Sequence, residues 1–221
     1  MKNKYLPYIL VSLALVFGFI LKEYSGLSNT DNKVASTNTY SNRIDNRFET
    51  LLIYPKKNKL EDFILIDQDS NQFTNANLEN AWNLFFIGYT NCPDVCPNTL
   101  NELVQLYNSF DSETQEKIRI VFLAVDPARD TPKHLKLYLD FFNEDFIGIS
   151  GDKNQIDPLV KKLGGIYVIN SSEGEFYTVD HSARIFIVDP KVQRFGIIAG
   201  QSLSKNREQL SKDLTELVSK F

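Results

Sequence analysis

The sequence predicts an α/β fold, a mixed central sheet flanked by helices, on three observations. Short runs of β-branched and aromatic residues recur along the chain, separated by segments whose apolar residues fall at helical spacing. Two of the runs, Leu84–Ile87 and Ile118–Val125, are continuously apolar, as strands buried on both faces are. The composition, 43% hydrophobic and 24% charged over 221 residues, suits one domain with a full core plus extensions. The net charge of −4 leaves no basic block for phosphates and argues against nucleic-acid binding.

Residues 1–24 read as a transmembrane signal-anchor. Lys2 and Lys4 precede an apolar run from Tyr5 to Leu21, broken only by Pro7, Ser12 and Gly18. At about 17 residues the run is at the short end of a spanning helix. A cleaved secretory signal would want a small-residue cleavage pattern after Leu21, and none follows. The lysines ahead of the span keep the N-terminus cytoplasmic and send the rest across. No long Arg-rich transit peptide is present, so a bacterial inner membrane with a periplasmic domain is expected. Residues 25–47, rich in Ser, Asn, Thr and Asp, read as a flexible polar tether.

The folded domain is expected over 48–221. Phe63–Ile66 and Phe73–Thr74 frame a polar turn and read as a hairpin. Leu84–Ile87 is followed by a helix with Leu100, Leu103, Val104 and Tyr107 on one face. After the Ile118–Val125 strand, Thr131 caps a second helix and Pro132 occupies its first turn, with Leu135, Tyr138, Leu139 and Phe142 inward. Phe146–Ile149 is a short strand, and Ile156–Leu163 a helix closed by Gly164. Ile166–Ile169 and Arg184–Val188 read as strands around a polar loop at Ser171. Asp189-Pro190 turns the chain into a last strand, Phe195–Ala199. Leu203, Leu210, Leu214 and Leu217 mark the C-terminal helix, and Trp82 is assigned to packing.

The chain's two cysteines, Cys92 and Cys96, lie where the Leu84–Ile87 strand meets its helix. That is the thioredoxin-like placement, but with three residues between the sulfurs instead of two. A disulfide closing so small a loop adds little stability, so a structural bond is the weaker reading. Helix N-termini favour thiolates. Pro93 restrains the turn and Pro97 fits the first helical turn. If the segment is helical, i and i+4 share a face with Cβ atoms about 5–6 Å apart. That spacing suits one soft metal ion or, after adjustment, a disulfide. The pair therefore reads both as a dithiol redox couple and as half of a metal site. Two thiolates plus an imidazole favour Cu(I), whereas Zn(II) asks for a fourth ligand. His134, beside Lys133 and Lys136, reads as solvent-facing. His181, ahead of the strand at Ile185, is by chemistry alone more often structural than a ligand.

Three segments shift that balance: Gly88-Tyr-Thr-Asn-Cys-Pro-Asp-Val-Cys-Pro, Val125-Asp-Pro-Ala-Arg-Asp-Thr-Pro and Val179-Asp-His-Ser. They resemble the signature segments of the SCO/SenC family, membrane-anchored thioredoxin-fold copper proteins that help assemble cytochrome c oxidase. The likeness runs from about Phe63 to the C-terminus. It implies copper, as Cu(I) with Cu(II) a further state, bound by Cys92, Cys96 and His181, and a hairpin inserted near the histidine. It implies a metallochaperone rather than an enzyme, delivering copper to the dinuclear centre of cytochrome c oxidase subunit II or serving another copper-dependent respiratory protein. The alternative it carries is a thiol–disulfide reductase or redox sensor with Cys92 and Cys96 as the redox pair. Ala124, Ser150 and Gly164-Gly165 depart from the family's usual residues without touching a proposed ligand. Asp180 is expected to orient His181, and Asp94 to tune the sulfurs or contact a partner. Asp126, Arg129 and Asp130 form a structural turn in which Arg129 pairs a carboxylate.

Overall fold

Strand β4 (Trp82–Gly88) is buried along its whole length, and the sheet is built outward from it. Strand β5 (Ile118–Ala124) pairs with it in parallel, and β6 (Ile147–Ser150) pairs in parallel with β5. On the other flank β9 (Ile185–Val188), β10 (Gln193–Ile198) and β1 (Leu51–Lys59) follow in antiparallel steps. The hairpin of β2 (Ile64–Asp67) and β3 (Gln72–Thr74) completes the far edge on β6. The resulting eight-stranded order is β1-β10-β9-β4-β5-β6-β2-β3, a mixed sheet as expected. Strands β7 (Tyr167–Asn170) and β8 (Thr178–His181) form a separate antiparallel ribbon, the hairpin the family resemblance implied.

This computed structural model describes residues 47–170 and 177–220. The expected anchor (1–24), the tether up to residue 46 and the polar loop at 171–176 lie outside the described residues. Among the described residues no helix is long and apolar enough to cross a membrane.

Helix α1 (Val95–Tyr107) joins β4 to β5 together with α2 (Ser112–Lys117). It buries Cys96, Leu100, Leu103 and Leu106. Helix α3 (Pro132–Asp140) begins as its sequence predicts, with the Thr131 side chain accepting from the His134 N–H and Pro132 in the first turn. Helix α4 (Lys153–Leu163) stops at Gly164, whose φ of 90° is left-handed and suits glycine. Helices α5 (Ser202–Lys205) and α6 (Arg207–Lys220) end the chain. The buried Asp213 of α6 accepts from the Thr50 N–H at 2.8 Å and the Thr50 hydroxyl at 2.6 Å. This staples the start of β1 to the last helix.

Two elements escape a hydrophobic-pattern reading. Strand β1 carries Pro55, Lys56 and Lys57 in its exposed middle, and its pairing with β10 shifts register between Ile53 and Asn58. An edge strand tolerates both proline and the irregularity. Helix α2 is hydrophilic and is held by its cap, Asp111 accepting from the Thr114 N–H at 2.8 Å.

Candidate metal centre

The centre forms where β4 gives way to α1. Tyr89–Pro93 turns the chain, with the Cys92 N–H donating to the Tyr89 carbonyl at 3.3 Å. Asp130 fastens this turn through the Thr90 N–H at 3.0 Å and the Thr90 hydroxyl at 2.6 Å. Helix α1 starts only at Val95, so Cys96 is helical while Cys92 lies ahead of the N-cap residue Asp94. The pair therefore does not share a helix face. It is brought together by the turn, and the Cys96 N–H points at the Cys92 Sγ, 3.4 Å away. Both thiols are free; Cys96 is buried and Cys92 half-buried.

His181 arrives from β8, 85 residues further along, and its Nε2 lies 3.3 Å from the Cys96 Sγ. Its ring meets those of Phe86 and Tyr89 edge-on, with centroids 5.9 and 6.1 Å away. The two sulfurs and an imidazole nitrogen all lie within 4.8 Å of one another, the one such gathering of His, Cys and acidic side chains among the described residues. Bonds of about 2.3 Å to sulfur and 2.0 Å to nitrogen place three donors roughly 3.5–4 Å apart around one ion. The residues present therefore fit a soft ion after small side-chain shifts. Gly88 makes the room, because a Cβ built there would sit 2.8 Å from the Cys96 Sγ.

Burial shifts the protonation of Cys96 and His181. It pushes the Cys96 thiol well above its ordinary range, so without metal this sulfur keeps its proton. It pushes His181 below the ordinary histidine value, leaving a neutral imidazole at neutral pH.

Other expected residues fall elsewhere. His134 stays exposed, its Nδ1 2.9 Å from the Arg129 carbonyl, and takes no part in the centre. Asp180 does not orient His181: its carboxylate accepts from the Asn170 amide at 3.1 Å, and the His181 Nδ1 faces the Ser182 carbonyl at 3.4 Å. Successive residues of a strand point to opposite faces, which separates the two side chains. Asp94 accepts from the Asn98 amide at 2.6 Å. Arg129 does pair a carboxylate, that of Asp126. Among the departures from the family pattern, the Ser150 hydroxyl reaches the Ala124 carbonyl at 3.2 Å, two of those positions bonded to each other. Sequence reasoning missed Gly88, Tyr89 and Tyr177 as parts of the centre and its support; a glycine ending a buried strand beside a cysteine was the signal for the first.

Comparison with known proteins places this constellation. Residues 53–219 match the family model described as SCO1/SenC. A protein of Stutzerimonas stutzeri is 38% identical over 141 residues, covering 63% of this chain and 69% of that one. The mitochondrial protein SCO2 of Saccharomyces cerevisiae is 33% identical over 156 residues, 67% of this chain but 52% of its own length. The chain thus spans about half of that relative. Among solved structures, that of Bradyrhizobium japonicum ScoI with copper bound superposes with a TM-score of 0.64 at 31% identity, covering 72% of this chain and 99% of that one.

Proposed function

The chain belongs to the SCO1/SenC family, and from that premise we propose that it is a copper metallochaperone whose cargo is held by Cys92, Cys96 and His181. The observation that carries this reading is the meeting of three soft donors, from segments 85 residues apart, within 4.8 Å. Two thiolates and a neutral imidazole are a donor set that selects Cu(I) over harder divalent ions. Loading displaces the proton that burial keeps on Cys96, and unloading returns it. Cys96, locked in the first turn of α1, and His181, packed on Phe86 and Tyr89, act as the fixed donors. Cys92, half-buried on the turn, is the donor an incoming partner reaches and replaces first.

Sco-family proteins are cytochrome c oxidase assembly proteins, and the recipient we propose is the dinuclear copper centre of oxidase subunit II. Residues 1–24 would anchor the chain in a bacterial inner membrane, with residues 25–47 as tether and the domain in the periplasm. The test is transfer: Cu(I)-loaded protein is mixed without oxygen with the apo copper domain of subunit II, the two are separated, and the copper on the recipient is measured by elemental analysis. Copper should move to the recipient from two equivalents of the wild type and fail to move from His181→Ala. Equal transfer by both would overturn the reading.

A second reading is favoured by the free, closely placed cysteines and the half-buried position of Cys92. In it the pair reduces a partner disulfide: Cys92 attacks one sulfur, and Cys96 resolves the mixed disulfide as the partner leaves with two thiols. This chemistry needs no histidine. Undiminished turnover of a partner disulfide by His181→Ala, with copper binding lost, would favour it.

A further inference from the structure

His181 has a support problem. It ends a ribbon of two four-residue strands that is not hydrogen-bonded into the eight-stranded sheet. Two-stranded ribbons are marginal in water by themselves, so something outside β7 and β8 must set where the imidazole sits.

The turn Asp126–Asp130, between β5 and α3, supplies it. The Arg129 Nη1 donates to the Tyr177 carbonyl at 3.0 Å, and Tyr177 is the residue that leads into β8. The Arg129 Nε donates to the Asp126 carboxylate, which is 1% exposed. The other oxygen of that carboxylate accepts from the Tyr177 hydroxyl at 2.7 Å. The guanidinium also lies over two rings, 3.7 Å from the Tyr177 centroid and 5.5 Å from that of Tyr89. Tyr89 in turn faces the β8 backbone at Val179 and meets the His181 ring edge-on. The next residue of the turn, Asp130, holds Thr90 and with it the Cys92 loop. One five-residue turn thereby grips both ligand-bearing segments.

We propose that Arg129 is a positioning residue for copper binding: through Asp126, Tyr177 and Tyr89 it fixes the start of β8 so that His181 meets the two sulfurs. The inference rests on the reading of His181 as a ligand. Lysine cannot replace the arginine, because one ammonium lacks the planar fork that spans a carboxylate and a carbonyl while stacking on rings.

The test is a double-mutant cycle on the full-length chain in detergent, with Cu(I) affinity read by competition against a chromophoric chelator. With His181 present, Arg129→Lys should lower the affinity about 10- to 100-fold, the range seen when residues supporting a metal ligand are lost. In the His181→Ala background the same substitution should change nothing, since the ligand it positions is gone. Equal loss in both backgrounds would show a general effect on the fold and overturn the proposal, as would no loss in either. Should Arg129→Lys not fold, Tyr177→Phe, which removes only the hydroxyl link to Asp126, serves in the same cycle. A smaller, several-fold loss confined to the His181 background is then expected, and its absence counts against the proposal. If His181→Ala alone leaves affinity unchanged, the three-ligand reading fails first, a result distinct from a sensitive His181 with an indifferent Arg129.

Discussion

Replacing Gly88 by alanine puts a methyl group into the space that holds the Cys96 sulfur. The added Cβ would stand 2.7 Å from the Phe122 Cε2, 2.8 Å from the Cys96 Sγ and 3.1 Å from the Phe122 Cζ. Relaxed carbon contacts lie at about 3.5–4.0 Å, so the shortfall is roughly 0.7–1.3 Å on two sides. Neither neighbour moves freely. The Phe122 ring is held between Phe86 and Tyr138, with centroids 5.8 and 5.9 Å away, and Cys96 is fully buried in the first turn of α1. Overpacking of this kind costs about 1–3 kcal/mol, to be read as a lower urea midpoint for the metal-free protein. Because the sulfur itself must retreat, Cu(I) affinity should fall about tenfold or more, as sites displaced by about an ångström do. Chelator competition measures it. A Gly88→Ala protein with wild-type midpoint and wild-type affinity would refute the cradle argument.

Further expectations follow from the buried polar groups. Copper affinity should rise with pH through neutrality, by up to about tenfold per unit for the proton released from Cys96, because burial keeps that proton on in the absence of metal; a flat profile in the competition assay would contradict this. Burial pushes the Asp130 carboxyl up to about 6 although Thr90 donates to it. Its folded pKa is therefore above its unfolded one, so the stability it contributes is complete below about pH 4 and lost as pH rises through 6, by roughly 2–3 kcal/mol. Urea midpoints of the metal-free wild type and Asp130→Asn should diverge over that window, in favour of the variant, and parallel profiles would sink the argument. Asp213→Ala should cost about 3 kcal/mol in urea unfolding, since it strips the buried Thr50 N–H and hydroxyl of their acceptor; a loss below about 1 kcal/mol would mean the staple is dispensable.

Much of this fold is legible because its strands are continuously apolar and its helices carry their caps in sequence, as Thr131-Pro132 and Gly164 do. Strand β1 is not, because an irregular edge strand has no period to read. The centre divides along the same line. Cys92 and Cys96 announce themselves by spacing, but the turn geometry that keeps Cys92 outside the helix depends on Thr90 finding Asp130, 40 residues on. His181 is invisible to local chemistry, since a single histidine at a strand end carries no sign of the thiol it will meet; only the three motifs together point to it. The Asp180 expectation fails on strand alternation, a rule the sequence already contained once β8 is recognised. The Arg129–Tyr177 contact joins residues 48 apart across separate elements, and no periodicity encodes it.

The central claim is tested most directly by the copper bound to the purified, reduced protein, measured by elemental analysis and Cu(I) competition for the wild type and His181→Ala side by side. One Cu(I) per wild-type chain is expected, with a sharply weakened complex when the imidazole is removed. Full affinity in His181→Ala, or a reduced wild-type protein that takes up no copper, would contradict it.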